Sequence, residues 1–363
     1  MSSSPAIATK KTKWIYGLDS IRLVLAVIVM LAHFPNPFDA FENSQNLIIK
    51  TLVSVSHILF CGPAAVIAFF VISGFVIHFP YRNKDKFDVT GFLIRRIFRI
   101  GIPLLIVGFI ASYYNYFNTL PVWSLYCEMI YYVIYPLLFI SKVNWKKLFI
   151  FSFILSYAVI LIFNWDSFLS FIQHKNINFD GGYQSLGTIP TAIIGLPCWL
   201  LGVTLAGEID KKRSIVNFKT LILYRTVVLA ASIASLIAMF HFYLSYMYTL
   251  NIFALLAVKW IEKEIVYYRA NKPLSVLEFC GKFSYSLYLC HILVFLALSN
   301  YFSFSAATYF MFIFATIAIS YLIYLTIELP SHKIAQYLST LFSKSLKESK
   351  KIRKETSIDT KGV

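Results

Sequence analysis

Charge is what this chain has least of: 14% of its 363 residues are Asp, Glu, Lys or Arg, and the 17 acidic residues are outnumbered by 33 basic ones. With 58% of residues hydrophobic, too few polar groups remain to cover the surface of a soluble domain. Cysteine is also sparse. Cys61, Cys127, Cys198, Cys280 and Cys290 lie in apolar segments without metal-ligand spacing, so neither a disulfide framework nor a zinc site is indicated, and no metal is expected. No Gly-x-Ser-x-Gly elbow is present, which disfavours a serine hydrolase of the strand-to-helix type. There is no repeat of fixed period, and no connection between apolar runs is long enough to hold a soluble domain.

What fills the chain instead is long apolar runs. Reading them at about twenty residues each predicts about ten transmembrane helices, at 16–34, 52–79, 100–117, 122–141, 148–165, 188–207, 220–240, 243–260, 281–299 and 307–327. The expected fold is an all-α polytopic bundle in the lipid bilayer. Its net charge of +16 is dispersed between the spans rather than gathered into a nucleic-acid patch, so it reads as topology. With both termini cytoplasmic, every basic residue except Lys50 and Lys175 falls on or near the inner side. The division expected is a cytoplasmic segment 1–15, a transmembrane domain 16–330 and a basic cytoplasmic tail 331–363. No small-x-small cleavage site precedes His33-Phe34-Pro35, so the first run is retained as a span. In the tail, Ile334, Leu338, Leu341, Phe342 and Leu346 at helical spacing predict an interfacial helix over 332–348, followed by a disordered end at 349–363. Gly62-Pro63 should kink or break the second span, and a break would line a cavity.

The first span carries Asp19, Arg22 and His33 on nearly one helix face, Arg22 and His33 being about 16 Å apart along the axis. Ionisable groups at membrane depth cost several kcal/mol unless they face protein or a wet cavity, so the stripe marks a site. Glu128 begins its span at a depth similar to that of His33. A histidine held by a carboxylate suits deprotonation of a hydroxyl near neutral pH, which makes His33 and Glu128 a candidate base and orienter; a packing hydrogen bond is the competing reading.

Arg95, Arg96 and Arg99 form Arg-Arg-Ile-Phe-Arg where the third span begins. Guanidinium groups at a helix start can hold the phosphates of a cytosolic donor, or they can simply anchor the inner side. Ser73-Gly74 is a small step in an apolar run where a helix or an acyl chain can come close. Ser284, Tyr288 and His291 make a polar stripe facing the bundle interior. For His291 a hydrogen-bonded core position is the more economical reading, and lining a donor channel is the other. Glu328 is expected to neutralise Arg22 or Arg99.

Taken in order, Leu18-Asp19 with Arg22 and His33 ten residues apart, Phe-Phe-Val-Ile-Ser-Gly-Phe, Arg-Arg-x-x-Arg, Trp123-Ser-Leu-Tyr-Cys-Glu128, Phe-Ser-Tyr-Ser-Leu-Tyr-Leu-x-His and Glu-x-Pro resemble the acyltransferase 3 family of integral membrane acyltransferases. The resemblance runs from about 16 to 332. It implies a stand-alone enzyme that takes an acyl group, usually acetyl from cytosolic acetyl-CoA, to a hydroxyl of a carbohydrate or lipid-linked glycan. It also implies a bacterial inner-membrane location and possible glycan-biosynthesis partners. On these positions it places catalysis at His33, Glu128 and Arg22, and the donor at Arg95, Arg96 and Arg99; the residue pattern adds Ser73 and His291 as further donor-side candidates. Ser20 stands where the family commonly has a smaller residue. A transporter or flippase, or a non-catalytic partner of a glycan assembly complex, are the competing functions.

Overall fold

The computed structural model describes residues 15–176, 182–212 and 215–343. Every segment expected to span is helical, and no strand occurs among the described residues. In chain order the helices are α1 (Leu18–His33), α2 (Leu47–Ile58), α3 (Gly62–His78), α4 (Val89–Tyr113), α5 (Trp123–Ile140), α6 (Trp145–Phe163), α7 (Trp165–Gln173), α8 (Thr188–Glu208), α9 (Phe218–Phe242), α10 (Tyr246–Tyr267), α11 (Ser275–Gly281), α12 (Ser284–Ser299) and α13 (Tyr309–Ile323). Side chains of Asn46, Asp88, Asn144, Asn217 and Ser245 accept a backbone N–H in the first turns of α2, α4, α6, α9 and α10. Those caps set the helix starts.

Six stretches among the described residues are long and apolar enough to cross a membrane, with α11 and α12, bent by 66°, as a seventh if they form one span. By length and composition the expected count of ten is therefore not confirmed. α1 and α12 have 16 residues each, α10 carries Lys259, Glu262, Lys263 and Glu264, and α4 carries three arginines. Two boundaries also differ from expectation. α4 starts at Val89 rather than near 100, because the Asp88 carboxylate caps it by accepting from Gly91 N at 2.9 Å; the arginines thus lie within the helix. At the other end, α13 does not stop at 327. It continues to Ser343 through a π turn at Tyr324–Glu328. Pro330 lacks an N–H and crowds the carbonyl four residues back, which the wider π turn tolerates. The separate interfacial helix expected at 332–348 is instead this continuation as far as 343; its remainder, the tail beyond, and residues 1–14 lie outside the described residues. The Gly62-Pro63 step breaks the second span: α2 ends at Ile58, and α3 starts at Gly62 with Pro63 in its first turn.

At the centre, α3 crosses α8. A Cβ on Gly74 would overlap the Trp199 carbonyl, and one on Gly202 would overlap the Val71 carbonyl. Only glycines permit so close an approach of backbones. α3 is apolar on all sides and buried along most of its length, as a central helix must be. The remaining helices pack around this pair, and two groups of deep polar side chains join them. Asn251 of α10, fully buried, donates to Ser156 Oγ at 3.0 Å and to Ile194 O at 3.2 Å and accepts from Cys198 Sγ at 3.0 Å. That joins α6, α8 and α10. Arg225 of α9 grips Glu264 of α10 at 2.7 and 3.0 Å, with Trp260 Nε1 donating to the same carboxylate at 2.7 Å.

The N-terminus of α1 is fixed by α11. Glu278 Oε1 accepts from Gly17 N at 3.0 Å, Ser20 N at 3.0 Å and Ser20 Oγ at 2.7 Å, satisfying donors that a helix start leaves open. Gly17 has φ +88° with the Tyr268 ring against it. Ser20 is thus the hydroxyl that completes this cap.

Replacing Gly74 by Ala should force α3 from α8 and lower stability by about 1–3 kcal/mol, whereas Gly207→Ala, where a Cβ meets nothing within 4 Å, should be neutral or slightly stabilising. Thermal melts of both variants in detergent check this; equal melting temperatures would refute the crossing. Glu278→Ala should cost about 1–3 kcal/mol by orphaning the α1 donors, and Glu278→Gln, which keeps an acceptor oxygen, should retain most of the stability in the same assay.

Candidate functional site

Three cavities lie in series through the bundle. The central one, about 850 Å³, is walled by α1, α3, α4, α5 and α12 and takes Arg22, Ser73, Arg96, Arg99, Glu128 and Tyr132 among its lining residues. Beside it, a cavity of about 450 Å³ is lined by Arg95, Arg96, Arg99 and His332. On the other side, a cavity of about 1000 Å³ is lined by His33, Pro63, Trp123, Tyr183, Tyr246 and Tyr288. Adjacent cavities share residues. Arg96 and Arg99 border both the first two, while Val66 and Tyr288 border the central and the His33 cavities.

The arginines reach the junction because α4 begins early enough to carry them. Successive positions i, i+3 and i+4 stand on one face, which places Arg96 and Arg99 together; Arg95 turns to Ser339 and to the Tyr81 hydroxyl at 3.3 Å. Neither Arg96 nor Arg99 has a carboxylate within 4 Å among the described residues. Arg96 lies over the Phe92 ring, 5.9 Å from its centre, and Arg22 pairs with Asp19 at 3.5 Å. Guanidinium groups left without a counter-ion at the mouth of a cavity suit an anionic ligand.

In the central cavity the Glu128 carboxylate accepts from the Ser73 and Tyr132 hydroxyls. Ser73 and Gly74 divide the work of one turn: the glycine meets α8 and the serine meets α5. Tyr132 follows Glu128 by four residues on α5, a spacing that puts both on one face, so its part in the site was available from sequence though unrecognised. Tyr288 is the wall between the central and His33 cavities. Its hydroxyl is held by Ser124 Oγ at 2.7 Å and donates to Pro121 O at 2.9 Å, tying α12 to the start of α5.

The His33 cavity is aromatic. Trp123 stacks on Tyr183 with ring centres 5.0 Å apart and planes 7° from parallel. Tyr183 comes from the segment before α8, where no sequence signal pointed to a site. His33, at the end of α1, is exposed there. Its Nδ1 lies 2.8 Å from Val29 O and 3.3 Å from His291 Nε2.

The sequence-derived residues are thus brought together with two corrections of partnership. His33 and Glu128 do not pair: Trp123 at the first turn of α5 reaches the His33 cavity, but Glu128, about 7.5 Å further along the helix, lines the central one. His291 is fully buried, lines neither the central nor the His33 cavity, and is the partner that His33 has instead. The stripe on α1 does connect the two, with Arg22 in the central cavity and His33 in the next. Ser284 and Tyr288 of the α12 stripe line the central cavity as expected. Arg22 and Arg99 lie within electrostatic reach of the Glu328 carboxylate, as expected, but neither forms a contact ion pair with it. No arginine lies within 4 Å of it among the described residues, and its Oε2 accepts from Ser286 N at 3.2 Å and Ser286 Oγ at 2.7 Å.

No curated protein and no solved structure matches the chain. The family model described as an acyltransferase domain matches residues 15–325, a stretch that contains all three cavities' linings apart from the α13 continuation. With its helices long and apolar enough to cross a bilayer several times, this is a multi-pass membrane protein, and it belongs to the acyltransferase 3 family.

Proposed function

We propose that this protein is an O-acyltransferase of the bacterial inner membrane that moves an acetyl group from cytosolic acetyl-CoA to a hydroxyl of a cell-surface or lipid-linked carbohydrate. The observation that carries the reading is the row of cavities, with unpaired arginines at one end and an exposed histidine at the other. Orientation follows from charge, since the arginine end continues into the basic segments that the positive-inside rule keeps cytoplasmic.

Acyl-CoA, as donor substrate, supplies an activated thioester carbonyl. The residues at the arginine end fit its anionic part: Arg96 and Arg99 are free to pair with phosphates, and Arg95 stands beside them. Apolar side chains such as Phe69, Ile72 and Val76 line the central cavity and keep water from the thioester. Glu128 holds the Ser73 and Tyr132 hydroxyls in that wall, and Arg22 adds a positive group. On the far side, the stacked Trp123 and Tyr183 with Tyr246 offer flat faces with polar edges, suited to a sugar ring. His33 takes the proton from the acceptor hydroxyl as its oxygen forms the new ester bond; the carbon–sulfur bond breaks, and the proton leaves with the sulfur as thiol. A glycan assembly protein is the natural partner for delivering the acceptor to this end.

In nanodiscs, release of CoA thiol dependent on a glycan extract is expected from the wild-type protein. Movement of a glycan without thiol release would identify a transporter instead. His33→Ala should lower kcat by about 10²–10⁴-fold with the donor KM little changed, and full activity would remove the histidine from the chemistry. Charge reversal, Arg96→Glu or Arg99→Glu, should raise the donor KM at least tenfold, as expected for losing a charged hydrogen bond of about 1.5–3 kcal/mol; an unaltered KM would place the phosphates elsewhere.

A further inference from the structure

His291 is buried beyond the reach of either reactant, yet it touches the one exposed imidazole of the site. The partners around the two rings determine where their protons sit. His291 Nδ1 faces two carbonyl oxygens of its own helix, Tyr288 O at 2.8 Å and Leu287 O at 3.2 Å. Carbonyls only accept, so a neutral His291 carries its proton on Nδ1 and presents a lone pair on Nε2. That lone pair meets His33 Nδ1 at 3.3 Å, and the same Nδ1 has Val29 O at 2.8 Å. Two acceptors flank it. His33 Nδ1 must therefore bear the proton, which leaves Nε2 as the basic atom of a ring that lines the aromatic cavity.

We infer that His291 is a positioning residue: together with the Val29 carbonyl it holds His33 in the Nδ1–H tautomer, and it fixes the ring, tilted 51° to its own with centres 5.1 Å apart. The inference rests on the proposed function only for its catalytic consequence. When His33 Nε2 accepts a proton from a hydroxyl, the Nδ1–H bond to His291 Nε2 strengthens, so His291 also steadies the imidazolium that forms. It does so as a neutral acceptor. A carboxylate in this place would hold the tautomer too, as in a serine protease triad, but would bring a second charge to a site already bordered by Glu128. The device also links the site's two halves, because the Tyr288 carbonyl that orients His291 belongs to the residue whose hydroxyl closes the wall to the central cavity.

Two experiments test this. Nitrogen-15 NMR of imidazole-labelled protein in nanodiscs, with His33 assigned from the spectrum of a His33→Ala variant, reads the tautomer without any substrate. The Nδ1–H form is expected at His33, and an Nε2–H form in the neutral wild-type ring overturns the inference whatever the enzyme's reaction. In the transfer assay, His291→Phe keeps the bulk and removes the acceptor, and should lower kcat by about 10–100-fold with the donor KM within about twofold. His291→Gln restores an oxygen that can accept from His33 and should recover most of that loss. Wild-type kcat in His291→Phe, or an equal loss in both variants with unchanged melting temperatures, overturns it. Should His291→Phe fail to fold, the tautomer in wild type and the kcat of His291→Gln still decide. Absence of transfer in the wild-type protein would speak against the proposed function and leave the tautomer result standing.

Discussion

The contact on which the rest depends is the crossing of α3 and α8 at Gly74 and Gly202. In a bilayer, lipid tails are as apolar as leucine, so helices gain little by hiding apolar faces from them; close backbone packing becomes the principal attraction. Here the approach is close enough that either methyl group would overlap a carbonyl. Such a contact fixes both rotation and depth of α3. Rotation is what matters for the site, because turning Gly74 to α8 turns its neighbour Ser73 to α5, where Glu128 and Tyr132 stand. Moving α3 outward would also open the cavity that Phe69, Ile72 and Val76 help to close.

Around that crossing, polar groups fall into two classes. Some are fully partnered and hold helices together: Asn251 among α6, α8 and α10, Arg225 with Glu264, and Glu278 over the start of α1. Others face cavities and keep unspent hydrogen-bonding capacity, as Arg96, Arg99 and His33 do. The distinction has a physical basis. A charge inside the bundle is tolerated when it is paired or wet, so Arg96 and Arg99, which make no ion pair within 4 Å among the described residues, imply water or a ligand in the space they border. Glu278 protects the geometry of the second class, since α1 carries both Arg22 and His33 and the Glu278 oxygen gathers the Gly17 and Ser20 donors at its start.

Much of this was legible in the sequence. Ionisable residues stand out in an apolar run, and their periodicity places Arg22 and His33 on one face without knowledge of any neighbour. Apolar length likewise located the long helices, although not their ends, because hydrogen bonding at Asp88 and the π turn before Pro330 ignore hydropathy, and it passed over the short α7 and α11. Partnership was not legible. Depth can be read along a helix, but which neighbour it faces depends on packing, and so Glu128 was paired with His33 when the neighbour of His33 at that point is α12. The Ser286 acceptor on Glu328 and the reach of Glu278 to α1 were hidden for the same reason: each needs two helices set side by side. Tyr183 lay beyond reach altogether, in a connection whose composition marks nothing.

His33 and the arginines line separate cavities, and on the proposed function this bears on how transfer proceeds. A base exposed where a thioester sits would admit water as the competing acceptor, and hydrolysis would follow. On the proposed function, with Tyr288 and Val66 between them, the reacting carbonyl would meet the acceptor hydroxyl at the wall while the bulk of the donor stays in the central cavity. Tyr288 is tethered at its hydroxyl, to Ser124 and to the Pro121 carbonyl, and its own carbonyl orients His291. The partition and the base are thereby parts of one rigid element, so a ligand that shifts α12 would alter the opening of the wall and the alignment of the histidines together. If the proposed function holds, control of water and activation of the hydroxyl are not independent variables in this fold, and a change in α12 packing cannot adjust one without the other.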